Sequence, residues 1–235
     1  MNHLFAFSDR KDFSGIENWN VSNVKIMRFM FADAASFNRP LNDWNVSRVE
    51  DMGGMFRGAT SFNQDISGWN TSNVVRMDGM FAEAVSFNQP LNEWDVSNVR
   101  EMHGMFRGAS SFNQDISGWN VSNVRDIYEM FYYATSFNQD ISSWDMRNVR
   151  DKTDMFYGAE SLNSSITHKE TMTEVAKILR LSKEEWLGLR NYNEALDVLR
   201  EEAKKIIKKE KQKERQKELD DLEEDIPLKR NRQRK

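Results

Sequence analysis

The chain is predicted to fold as an α/β repeat solenoid, a stack of short parallel strands and helices, followed by an α-helical C-terminal arm. Three observations predict it. Tryptophan recurs every 25 residues without insertion, at Trp19, Trp44, Trp69, Trp94, Trp119 and Trp144. After each tryptophan comes an apolar series at helical spacing, and before the next comes a short polar segment bounded by turn residues. A fixed period of this size marks stacked supersecondary units, each too small to bury its own apolar face.

Residues 1–18 read as a partial repeat capping the N-terminal end, with Phe13 and Ile16 closer together than their counterparts in later copies. Residues 19–166 hold six repeats. A Met–Phe pair recurs from Met30–Phe31 to Met155–Phe156, and an alanine follows each pair, from Ala34 to Ala159. In the third copy Ser72 is a candidate N-cap, and Val74, Met77, Met80 and Phe81 fall on one helical face. Gly58, Gly108 and Gly158 stand where a helix C-terminus favours positive φ. The other half of the unit, "SFNQDISGW" at 61–69, is too short for a helix and reads as a strand between tight turns. Strands about 4.8 Å apart would make five steps roughly 24 Å long.

A second period of 50 lies on the first. The decapeptide "SFNQDISGWN" is identical at 61–70 and 111–120. Units carrying "NRPLN" or "NQPLN" alternate with units carrying "NQDIS" until the fifth copy, as duplication of a two-repeat block would produce.

The unit resembles the leucine-rich-repeat variant of BspA-like surface proteins, whose repeat runs W-D-V-S-N-V-T-D-M-x-x-M-F and then A-x-x-F-N-Q-D-I-S. Here it stands as "WDVSNVREMHGMFRGASSFNQDIS" at 94–117, and the match extends over about residues 13–166. The resemblance implies a leucine-rich-repeat-like solenoid that binds other macromolecules, often on cell surfaces, and it implies no catalysis. The first unit departs from the pattern as a fragment. The last decays, with Lys152 and Thr153 near the first methionine position and Leu162 replacing phenylalanine.

Composition narrows the functions further. Net charge is −4, so the whole surface does not attract nucleic acid or acidic membranes. Cysteine is absent, which removes disulfides and thiol chemistry. The three histidines, His3, His103 and His168, belong to no catalytic or zinc motif, and His103 reads as a surface residue. Asp65, Asp115 and Asp140 share their column with Pro40 and Pro90, which argues against stacked metal loops. No cofactor, metal or catalytic residue is expected. The Met–Phe stripe and the tryptophans read as core. Two asparagine ladders, Asn38 to Asn163 and Asn23 to Asn148 with Arg48 interrupting, read as turn-stacking amides. The N-glycosylation triplets at Asn20, Asn45, Asn70 and Asn120 belong to the repeat and read as incidental.

After Ile166 the composition shifts. Residues 167–207 read as a helical cap or arm, with Leu189, Tyr192, Leu196, Leu199, Ala203 and Ile206 on a short a/d seam that covers the last repeat. Residues 208–235 read as a charged helix and a basic tail, Lys229, Arg230, Arg232, Arg234 and Lys235, suited to an acidic partner or nucleic acid. "MTEVAKILRLSKEEW" at 172–186 has a faint helix-turn-helix cadence. The function expected is a non-enzymatic protein–protein interaction scaffold that presents Asp65, Ser67, Asp115, Ser117, Asp140 and Ser142 on its strand face. Its helical arm docks or self-assembles. The alternatives are a structural component of a larger particle, such as a virion or surface array, and, behind it, a helix-turn-helix nucleic-acid-binding protein. Without a signal sequence or an apolar span, a cytoplasmic or particle location is expected over surface anchoring.

Overall fold

A computed structural model describes residues 1–164 and Lys205. The arm of 167–207, its seam, the helix-turn-helix-like segment and the basic tail lie outside the described residues.

The α/β expectation is overturned. Across residues 1–164 there is no α-helix, and the regular elements are two 3₁₀ turns, Ile16–Asn18 and Glu160–Ser164. Nor is there a strand longer than one residue. Neighbouring coils are joined by single parallel bridges, Ile26↔Asp51↔Arg76↔Glu101↔Asp126↔Asp151. These lie in the half expected to be helical, and "SFNQDISGW" is no strand. The chain builds a stack of coils made of turns.

The backbone hydrogen bonds explain why a helical spacing produces no helix. In the third coil the N–H groups of Met77, Gly79, Phe81 and Glu83 donate to the carbonyls of Glu101, His103, Met105 and Arg107 in the next coil, at 2.6–3.0 Å. The intervening donors close three-residue turns, Met80 to Met77, Ala82 to Gly79 and Ala84 to Phe81, at 3.0–3.2 Å. With alternate N–H groups directed between coils, the i→i−4 ladder of an α-helix cannot form. Two left-handed columns break the right-handed run as well, for example Gly79 at φ 59° and Glu83 at φ 58°. Successive three-residue turns still return Met77 and Met80 to one face, and both are fully buried. Spacing therefore predicted which residues are buried, although the conformation is different. Ser72, expected to cap a helix, donates its N–H and hydroxyl to Asn70 Oδ1 in an Asx turn.

The core is a set of columns running through the coils. Phe31, Phe56, Phe81, Phe106 and Phe131 stack coil on coil with ring centroids 5.6–5.7 Å apart. A second phenylalanine column packs beside it within each coil, as in Phe81–Phe87 at 4.0 Å. Each inner tryptophan donates its indole N–H to a carbonyl of the coil before, Trp94 to Ile66 at 3.1 Å. That bond satisfies a buried polar group at both ends. Phe5 extends the phenylalanine column at the N-terminal end, stacking on Phe31 at 5.7 Å. Among the described residues no helix is long and apolar enough to cross a membrane.

Packing also accounts for the 50-residue period. In one left-handed column glycine occupies every second coil, Gly58, Gly108 and Gly158, alternating with Asp33, Glu83 and Tyr133. A Cβ at those glycines would lie 2.2–2.6 Å from the side chain of Asp33, Glu83 or Tyr133. One coil's side chain therefore lies over the next coil's glycine. Gly54 plays the same part under Phe29, whose ring an added Cβ would meet at 2.1 Å.

Three stability outcomes follow, all measurable by denaturant unfolding. Phe81→Ala should cost about 3–5 kcal/mol, because it opens a cavity in the middle of the column. Gly79→Ala meets nothing nearer than 3.9 Å and should cost about 1–2 kcal/mol of left-handed strain. Gly54→Ala should cost clearly more than Gly79→Ala, because the Phe29 ring must also leave its seat.

Candidate binding surface

The recurrent polar letters are occupied locally. Asp65, Asp115 and Asp140 each accept the backbone N–H of Ser67, Ser117 and Ser142 at 2.9 Å. The backbone N–H and hydroxyl of Ser67 hold Asp65 below the usual carboxylate range, and Ser117 does the same for Asp115. The three aspartates and Ser142 are exposed, while Ser67 and Ser117 are half-buried. They sit in Asx turns, not along a strand. Asn20, Asn45, Asn70 and Asn120 turn the chain in the same way, accepting from the serine two residues on.

The asparagine ladders bond between coils. Asn63, Asn88, Asn113 and Asn138 each donate a backbone N–H to the side-chain oxygen of the asparagine one coil earlier, at 2.8–3.0 Å. The amides of Asn73, Asn98, Asn123 and Asn148 donate to serine carbonyls of the preceding coil at 2.7–2.8 Å. Repetition of these letters thus has a structural cause.

The columns that change from coil to coil carry the chemical individuality. Arg28 reaches across the second coil to Asp78 in the third, with its two terminal nitrogens on the two carboxylate oxygens at 2.9 and 2.5 Å. Gly53 makes the passage possible, since a Cβ there would stand 2.1 Å from the guanidinium. Asp51 lies 3.4 Å from the same nitrogen. Burial opposes ionisation of Asp78, but its bonds to Arg28 and the attraction of Arg28 and His103 outweigh that and hold it below its ordinary value. His103 Nδ1 lies 3.4 Å from Asp126, and one ligand atom from each of Glu101, His103 and Asp126 falls within 4.8 Å of the others. This half-exposed trio could accept a cation, although Asp126 also accepts the N–H of Tyr128.

Two further features escaped the sequence reading. At the fifth and sixth coils Tyr132 stacks on Tyr157 at 5.2 Å, and Tyr133 meets both edge-on. Arg107 lies over the Tyr132 ring at 5.2 Å and pairs with Glu129 at 3.1 Å. Beside the asparagine ladder runs an arginine ladder, Arg100, Arg125 and Arg150, which with Asn98, Asn123 and Asn148 lines a groove of about 290 Å³. Reading the recurrent "NVR" at 98–100, 123–125 and 148–150 as a column would have found it.

Stacked, turn-built coils with side-chain ladders on their flanks define a repeat protein. The family described as "Mycoplasma protein of unknown function, DUF285" matches at residues 1–102 and again at 65–169, most of the chain, and the chain belongs to that family. No curated protein and no solved structure matches it.

The Arg28–Asp78 pair should appear in the pH dependence of stability. The Asp78 pKa is depressed by folding, so its contribution is full above the unfolded value of about 3.9 and is lost as pH falls through the folded value. Arg28→Met should therefore destabilise by about 1.5–3 kcal/mol at pH 7. The difference from the unsubstituted chain should shrink steadily below pH 4 in urea titrations.

Proposed function

We propose that the chain is a non-enzymatic binding scaffold of the BspA-like kind, recognising its partner through the columns that vary between coils. One observation carries this reading. The recurrent polar side chains are engaged in Asx turns and inter-coil bonds, whereas the arginine ladder, the Tyr132–Tyr157 cluster and the Glu101–His103–Asp126 trio reach solvent without such a bond to the turn or the next coil accounting for all of them. A surface that differs along a stack can distinguish partners, and one that merely repeats has little to distinguish them with. The resemblance of 94–117 to the BspA-like repeat supports a binding role, as do the absence of cysteine and the scarcity of histidine.

Affinity capture from the native source, using the full chain as bait, tests this against the recurrent Asp–Ser face. Bait carrying Tyr132→Ala, Tyr157→Ala and Arg125→Glu should lose its partners at least 10-fold. Bait carrying Asp115→Arg and Ser117→Arg should keep them. The reverse result would return recognition to the Asp–Ser face, and equal retention by both baits would remove the repeat surface from recognition altogether.

A further inference from the structure

We infer that the Arg100–Arg125–Arg150 ladder, with the amides of Asn98, Asn123 and Asn148, is a binding site for a linear anionic polysaccharide. The inference rests on the scaffold reading and names the partner class for one of its surfaces.

The three arginines are stacked as closely as the fold allows. The backbone N–H of Arg125 donates to the carbonyl of Arg100 at 2.9 Å, and that of Arg150 to Arg125 at 2.7 Å. Consecutive side chains therefore leave the backbone about 4.8 Å apart. Like charges set directly opposite one another destabilise a stack. All three are exposed, and none makes an ion pair among the described residues. The same column shows the alternative at its other end, where Lys25 and Glu50 neutralise each other at 2.8 Å. Folding alone would favour that arrangement throughout.

The carboxylates next in sequence do not neutralise the ladder. Asp126 accepts the Tyr128 N–H and faces His103, and Asp151 accepts the Thr153 N–H. Glu101 is drawn toward His103 and Asp126. Their turns direct them to the other side of the column, leaving three guanidinium forks beside three amides fixed by their bonds to Ser72, Ser97 and Ser122. Guanidinium pairs well with sulfate and carboxylate groups, and an amide can serve a hydroxyl as donor or acceptor.

The lining decides the class of ligand. All six groove residues are asparagine or arginine. With no aromatic among them, single-stranded nucleic acid would lack its stacking platform. Nor does the groove offer an apolar lining for the anchoring side chain of a protein segment. A polyhydroxylated chain bearing regularly spaced anions needs only what the groove provides.

The test uses the full chain with Lys229, Arg230, Arg232, Arg234 and Lys235 changed to glutamine, so that the tail contributes no binding. Heparin-derived oligosaccharide, oligothymidylate, polyglutamate and neutral dextran are titrated calorimetrically. Heparin oligosaccharide should bind, weaken as salt rises, and lose affinity at least 10-fold on Arg125→Glu. Arg125→Lys should lose less, because the charge remains while the fork is gone. Arg57→Glu, an exposed arginine on another column, should leave binding unchanged, and near-ultraviolet dichroism of the tryptophan column should confirm folding of each variant. Absence of heparin binding, binding that survives Arg125→Glu, or tighter binding of oligothymidylate or polyglutamate would each overturn the inference. Partner capture by the variable-column baits is measured separately, so failure here removes the ligand class without removing the scaffold reading.

Discussion

Everything in this fold depends on how backbone N–H groups are divided. In the Met–Phe half of each of the first five coils one donor closes a turn and the next crosses to the neighbouring coil, so that Met80 serves the turn while Met77, Gly79 and Phe81 serve the stack. The carbonyls are filled just as completely. Those of Arg76, Asp78, Met80 and Ala82 accept from the preceding coil, and those of Met77, Gly79 and Phe81 accept the turns. Most polar backbone groups in this stretch are paired within the stack, so side chains on the inner face can be apolar.

Register follows from that division. Crossing bonds join residues 24 to 26 apart, so each side chain meets its own counterpart in the next coil. A one-residue insertion in a middle coil would displace phenylalanine from phenylalanine and asparagine from asparagine at once. This explains an unbroken 25-residue period better than any demand of a ligand does. It also explains the 50-residue period, because Glu83 has a seat over Gly108 that it would not have over a second glutamate.

Stacking like upon like helps some residues and harms others. Asparagine gains, because its amide can donate and accept along the column, and phenylalanine gains through parallel offset stacking. Arginine loses, because each copy adds repulsion. Where the varied column resolves its charges, as in Lys25–Glu50 and Arg28–Asp78, the fold explains the residues. Where it leaves three guanidinium groups together, the explanation lies outside the coil stack.

The sequence by itself determined the period and the inward columns, and marked the chain as one of a repeat family. Tryptophan, methionine and phenylalanine positions chosen from spacing are buried through the middle coils, and Gly58, Gly108 and Gly158 do adopt positive φ. It did not determine conformation. Val74, Met77, Met80 and Phe81 suit a helix face and a run of three-residue turns equally well, since both return to one side after about three residues. Only contact with the next coil selects between them, by taking every second N–H. The role of the Asp–Ser and Asn–Ser pairs was hidden for the same reason, because an exposed polar letter looks alike whether it closes a turn or waits for a partner. The reach of Arg28 past Gly53 and the arginine ladder join residues 50 and 25 apart in the chain. Those distances become short only when coils stack, so tertiary structure alone brought the surface groups together.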